Sequence, residues 1–318
     1  MQTNRQTMAN KWSIVIIFPY FGTLPAQYQM WRASALSNPT VDFMFFTDAD
    51  VEPAPNILVN KMQFADFQKL AAKAFDFPIV LDRPYKLCEY KQAYGYILQE
   101  YIKDYDFWGF GDLDLVYGDI RTFLTDKVLS EKKFLLGWGH LTLLHNDMDT
   151  NTYFMIEKPG YQSYRDAFST RTITFFDEFN HKGCSDKWRD CRPSDCWLEE
   201  PFDNVSKPKQ AFHLCSLNRG WQQIVFEHKD NRLYMVRFQQ GKKEKRESLY
   251  AHFQHRPFMR DYVTDYRHFL ITPRSVIDYP RRLTTAILKF YCRKQRLVTK
   301  FFQWRDIIIW KLHMNKNR

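Results

Sequence analysis

Two short apolar runs restrict the fold more than any other feature: SIVIIF at residues 13–18 and VDFMFF at residues 41–46. Both have strand length, are rich in β-branched or aromatic residues, and stop at a breaker, Pro19 in one case and Thr47-Asp48 in the other. A run that is apolar on successive residues hides both faces, as a strand inside a parallel sheet must. After the first run, Pro25 suits the opening turn of a helix over 25–36. After the second, Phe64, Phe67, Leu70, Ala71 and Ala74 fall at helical steps and predict a helix over 61–75. Another helix is predicted over 87–102, then a strand edge over 106–111. The order strand, helix, strand, helix, helix, strand predicts an α/β domain around a mostly parallel central sheet. Further strands are expected at 134–138, 141–144 and 152–156. A hairpin is expected to join 222–227 to 233–238 through His228-Lys229-Asp230-Asn231.

Composition closes off several classes. With 45% hydrophobic and 17% aromatic residues among 318, the chain is not a disordered one. The net charge of +10 sits in one place: residues 280–318 hold 11 Lys and Arg against the single acid Asp306, and the remainder is neutral. A neutral body offers no nucleic-acid groove, whereas a basic tail can dock on an anionic surface. No apolar run near the start approaches the ~20 residues of a membrane span, and the opening residues lack the features of a signal peptide. The six cysteines are therefore expected to be reduced thiols of an intracellular protein. His181, Cys184, Cys191, Cys196, His213 and Cys215 form a loose cluster, but they contain no Cys-x-x-Cys and fit no common zinc spacing.

The string most informative about chemistry is FWGFGDLDLVYGDI at residues 107–120. On an extended backbone, Asp112 and Asp114 point to the same face and can converge on one divalent cation. Oxygen ligands of this kind suit Mn²⁺ or Mg²⁺, which also bridge to substrate phosphates. Gly111 and Gly118 permit close backbone approach, and acids at the carboxyl end of a buried strand stand where open α/β sheets bind ligands.

Taken in order, IIFPYFG (16–22), FFTDAD (45–50), YKLCEYKQAYGYIL (85–98), DFWGFGDLDLVYGDI (106–120), GHLTLLHN (139–146) and HFQHRPF (252–258) resemble bacterial glycosyltransferases of the GT-A type. The nearest likeness is to a branch associated with surface-polysaccharide gene sets. The resemblance covers roughly residues 12–258 and implies a GT-A-like, Rossmann-like domain over 1–258; the stretch 259–318, expected to be a basic amphipathic helical tail, is not part of it. It implies a nucleotide-sugar donor, in the first place a UDP-sugar, and a saccharide or lipid-linked acceptor. It also implies a metal on Asp112 and Asp114, completed by His252. Pro19, Tyr20, Phe21 and Gly22 match the first loop, which lies against the nucleotide in such enzymes, and Asp48 matches an acid that contacts base or ribose. Glu89 departs from the pattern, which has Asp there.

Elementary chemistry adds further candidates. A departing diphosphate needs cations, for which Lys86 and Lys91 are candidates if they do not simply line a solvated helix face, and Arg256 can hold a phosphate oxygen. An inverting transferase needs a base, and Asp177 and Glu178 lie inside the aromatic string FFDEF, unless they cap a helix N-terminus. His140 and His145 can meet an acceptor sugar or be structural. Two rival readings share the motif. Asp112-Leu113-Asp114-Leu115-Val116 also fits the nucleophile motif of haloacid-dehalogenase phosphatases, and a carbohydrate-binding protein without catalysis uses aromatic surface alone. In the tail, Ile287, Phe290, Tyr291, Leu297, Val298, Phe301, Trp304 and Ile308 recur at three- and four-residue steps among cations. They predict either a helix lying on the cytoplasmic face of an anionic membrane or a terminal helix packed on the body.

Overall fold

The computed structural model describes residues 11–206, 212, 214–215, 224–239, 242–254, 260–291, 304 and 308. The strands in chain order are β1 (Ile14–Pro19), β2 (Val41–Thr47), β3 (Ile57–Lys61), β4 (Phe107–Gly111), β5 (Leu115–Tyr117), β6 (Phe134–Trp138), β7 (Leu141–His145), β8 (Cys196–Trp197), β9 (Asp203–Asn204), β10 (Ile224–Lys229), β11 (Arg232–Gln239), β12 (Lys242–Ser248), β13 (Tyr250–His252), β14 (Arg260–Tyr262), β15 (His268–Ile271) and β16 (Ser275–Asp278). The two helices that matter most are α1 (Tyr28–Leu36) and α2 (Phe64–Lys73). The chain forms two compact units. The first is built from Met1–Gly22, Pro39–Gly111 and Leu124–Glu199, and the second from Thr23–Asn38, Asp112–Phe123 and Glu200–Arg318.

The first unit is mixed α/β around a seven-stranded sheet, in the order β3-β2-β1-β4-β7-β6-β8. β1 pairs in parallel with β2 and β4, and β2 with β3, while β7 runs antiparallel to β4 and β6. The two runs that predicted buried parallel strands are β1 and β2, and Ile14 to Phe18 are all buried. On one face α2 inserts Phe67 and Ala71, its helical apolar stripe. The expected helix over 61–75 begins later, at Phe64, because Ile57–Lys61 is claimed by the sheet as its edge strand.

Two further expectations are corrected. The segment predicted as a helix over 87–102 is a 3-10 helix from Pro84 to Ala93, followed by two single turns, Tyr94–Ile97 and Gln99–Ile102. In a 3-10 helix residues i and i+3 align. Lys86, Glu89 and Gln92 therefore form one line and Leu87, Tyr90 and Ala93 another, and all six are buried. The expected strand at 152–156 is a 3-10 turn, Tyr153–Met155. It follows the short helix Met148–Asn151, which Asp147 starts by accepting from the Thr150 amide at 2.7 Å.

The second unit holds a three-stranded sheet, β5-β13-β9, and a six-stranded one, β12-β11-β10-β15-β16-β14. The predicted hairpin is β10–β11, closed by two residues only. Asp230 (φ 49°) and Asn231 (φ 64°) both take the left-handed conformation of a tight primed turn. The six-stranded sheet continues past residue 258, since β15 pairs with β10 and β14 with β16. The segment expected as a helical tail thus opens with three strands. Its helix Thr285–Tyr291 buries Leu288 against Val225, Val236 and Leu270, with Ile287 and Tyr291 packed beside it. Phe290, Trp304 and Ile308 are exposed, and the rest of the tail lies outside the described residues. Among the described residues, no helix is long and apolar enough to cross a membrane.

Candidate metal centre

The Asp112-Leu113-Asp114 segment is a turn between β4 and β5, not a continuous strand, so its acids do not converge by the alternation of a pleat. The three-stranded sheet aligns them instead. β13 runs antiparallel to β5 with His252 opposite Leu115, and the Phe253 amide donates to the Asp114 carbonyl at 3.0 Å. His252 thereby ends β13 beside Asp114, its Nε2 3.4 Å from Asp114 Oδ1. Asp112, Asp114 and His252 each offer one ligand atom, and these atoms lie within 4.8 Å of one another. Asp114 is buried and the other two are half-buried. Two carboxylate oxygens and one imidazole nitrogen make a donor set suited to a hard or borderline divalent ion such as Mg²⁺ or Mn²⁺.

The surroundings fix the strands that carry this group. β5 leans on α1: the Tyr117 amide donates to Ser34 Oγ at 3.1 Å, and Asn38 donates to the Gly118 carbonyl at 2.9 Å while accepting from the Ile120 amide. A Cβ on Gly118 would stand 2.4 Å from the Ser248 carbonyl, so close strand approach requires glycine there. Tyr250 stacks on Phe202 at 4.8 Å, and burial pushes the Tyr117 and Tyr250 hydroxyls far above the ordinary tyrosine range. Asp203, next to the last strand residue Asn204, accepts from Arg246 and Ser248. Burial still outweighs these partners and raises its pKa.

The other candidates separate. Pro19 ends β1, Tyr20 donates its amide to the Phe46 carbonyl, and Phe21 packs on Phe64 and Phe67. Gly22, at φ 101°, donates its amide to Asp48 Oδ1 at 2.8 Å, so Asp48 orders this loop. Lys91 donates to the Gly139 carbonyl at 2.7 Å and stands 3.8 Å from the buried Asp177. A Cβ on Gly139 would lie 3.0 Å from Asp177 Oδ2 and 2.9 Å from Glu178 Cγ, so glycine lets this turn meet the two acids. His140 beside it stacks on Trp138, ring planes 8° apart. Lys91, Asp177, Glu178 and His140 therefore form one group in the first unit. Asp177 and Glu178 do not cap a helix; they sit in a loop where Phe175, Asn180 and Lys182 all have positive φ.

Lys86 belongs to neither group. It is fully buried, and its ammonium donates to the Ala167 and Thr172 carbonyls, which leaves it no ligand to meet. His145 pairs with Asp147 at 2.8 Å and stands opposite Phe107, at the start of β4, while His140 lies beside the other end of β7. That places His145 away from the carboxyl ends of the parallel strands. Arg256 and His213 lie outside the described residues. Burial raises the Cys184 and Cys196 thiols to about 12, the behaviour of inert packed thiols. Two residues near the metal group carried no signal in sequence: Asn204 and Gln254. The Asn204 side-chain oxygen accepts from His252 Nδ1 at 3.1 Å and from Gln254 Nε2 at 2.7 Å.

Residues 16–280 match the model of DUF6625. The chain belongs to this family of unknown function. The match takes in every residue of the metal group and stops before most of the basic tail. No curated protein matches the sequence. Among solved structures, the apo form of mouse xyloside xylosyltransferase 1 is similar at 12% identity and a TM-score of 0.35, over 61% of this chain and 88% of that one.

Proposed function

We propose that this member of DUF6625 is a metal-dependent glycosyltransferase of GT-A type. It would move a sugar from a nucleotide-sugar donor, a UDP-sugar first, to a saccharide or lipid-linked acceptor in surface polysaccharide or lipopolysaccharide synthesis. The observation that carries this reading is the convergence of Asp112, Asp114 and His252 at the end of the small sheet. Mn²⁺ or Mg²⁺ held by these residues supplies charge neutralisation for a departing diphosphate. The loop Pro19–Gly22 and Asp48 take the nucleotide, and Lys91 contributes a cation. Asp177 or Glu178 receives the proton of the acceptor hydroxyl, and His140 meets the acceptor.

The test is a thermal-shift series on the full chain with nucleoside diphosphates, with and without Mn²⁺, followed by sugar-nucleotide turnover. Ligands that bind only the native state raise its melting point by mass action. The expected result is a nucleotide shift that requires Mn²⁺ and turnover that EDTA abolishes; full turnover in EDTA overturns the reading. A phospho-aspartate trapped at Asp112 would establish the dehalogenase-type phosphatase instead, and sugar binding indifferent to EDTA and to loss of Asp112 would establish a binding protein.

For the tail we propose an anionic membrane surface as partner, on the ground of its charge. Its 11 cations and the exposed Phe290, Trp304 and Ile308 suit an anionic leaflet, each cation contributing about 1 kcal/mol at the surface. We therefore place the protein on the cytoplasmic face of the inner membrane, and assign it no nucleic-acid partner. In co-sedimentation with phosphatidylglycerol vesicles at low salt, the full chain is expected in the pellet and a chain ending after Tyr291 in the supernatant. This truncation keeps the packed helix. Equal partition of the two excludes the membrane role.

A further inference from the structure

We infer that Asn204 and Gln254 are positioning residues that turn His252 Nε2 toward the cation. The inference rests on the metal-site reading above and adds to it how the third ligand is made ready. An amide carbonyl can only accept. With the Asn204 amide in its present orientation, Nδ1 of His252 is therefore the donor of this bond, 3.1 Å from Asn204 Oδ1. The bond sets the ring so that Nε2 faces Asp114, 3.4 Å from Oδ1. Nε2 is then the nitrogen whose lone pair a cation held with Asp114 would take.

Asn204 is itself fixed by three contacts. As the last residue of β9 it pairs with His252, so backbone register sets the reach between the two side chains. Its carbonyl oxygen on the main chain accepts from the Cys215 amide at 2.8 Å. Its side-chain oxygen accepts a second hydrogen bond, from Gln254 Nε2 at 2.7 Å. Gln254 makes this bond from a backbone at φ 39°, a left-handed conformation that costs a non-glycine residue about 1–2 kcal/mol. The same amide reaches Cys215 Sγ at 3.4 Å.

The experiment is Mn²⁺ titration of the full chain followed by the electron paramagnetic resonance of free Mn²⁺, with melting points measured in EDTA. Asn204→Leu keeps the size but removes the acceptor, and is expected to weaken Mn²⁺ binding ten- to a hundredfold, the usual consequence of losing an outer-shell partner. Asn204→Asp keeps an acceptor and is expected to bind within threefold of wild type. Gln254→Gly separates fold from site. Glycine adopts positive φ without strain, so the melting point is expected to hold or rise while Mn²⁺ binding weakens severalfold. Equal losses in Asn204→Leu and Asn204→Asp, or Asn204→Leu binding like wild type, would overturn the inference. If the wild-type chain itself fails to bind Mn²⁺, the metal-site reading falls instead.

Discussion

Asp114→Ala is expected to lower sugar transfer about 10³-fold and to abolish the rise in melting point that Mn²⁺ gives the wild-type chain. The first number corresponds to the several kcal/mol of charge stabilisation a bound metal supplies at a departing oxyanion. The second follows from mass action, which at a hundred times Kd stabilises a native state by about 2.7 kcal/mol. In EDTA, where there is no bound ion to lose, the melting point of the variant is expected to stay close to that of the wild type. A structural acid behaves otherwise, since deleting it lowers the melting point with or without metal. Asp112→Ala, at a half-buried position, is expected to show the same metal signature. Either variant retaining the Mn²⁺ shift, or half of wild-type transfer, would remove Asp112 and Asp114 from the site.

How much of this could be read from sequence depended on the range of the interaction involved. β1, β2 and β4 were legible because a strand buried on both faces must be apolar throughout, and the acids after β4 were legible because they interrupt such a run. The small sheet that brings the site together was not. Its strands, β5, β9 and β13, are two or three residues long, too short for any alternation to register, and they join positions near 115, 203 and 251. His252 entered only through a family resemblance, and Asn204 not at all. β12 was hidden for a different reason. KKEKRES has no apolar face because it is an edge strand, where charge discourages pairing with other chains. Spacing alone also misplaced Lys86. An i,i+3 pair reads the same on a solvated helix face as on the inner line of a buried 3-10 helix, and only the loop at 167–175 tells them apart.

That loop gives the largest stability effect expected in the molecule. Glu89 and Lys86 are both fully buried, 3.7 Å apart, and each is tied to the loop by a different chemistry. Glu89 accepts from the Thr174 amide at 3.0 Å, the Phe175 amide at 2.8 Å and the Thr174 hydroxyl. Lys86 donates to the Ala167 carbonyl at 3.0 Å and the Thr172 carbonyl at 2.8 Å. Burial drives the Lys86 pKa down, and the neighbouring Glu89 charge opposes it. Deleting the carboxylate leaves an ammonium without its counter-charge and two backbone amides without an acceptor, all in a dry interior. Breaking a buried pair in this way costs about 3–5 kcal/mol, so Glu89→Ala is expected to melt about 10 °C lower, at the usual few degrees per kcal/mol for a chain of this size. Replacing both partners, as in Lys86→Met with Glu89→Leu, removes the charge imbalance but still strands the loop amides and carbonyls, so recovery is expected to be partial. The effect should reach activity as well as stability. Glu89 anchors the start of the strained segment that carries Asp177 and Glu178, while Asp186 anchors its end by accepting from the amides of Asn180, His181 and Lys182. With one anchor gone, the left-handed Phe175 has less to hold it, and the two acids lose their fixed approach to Gly139. Chemical denaturation of Glu89→Ala settles the point: a loss below 1 kcal/mol would mean that water reaches the pair and that the loop is held by something else.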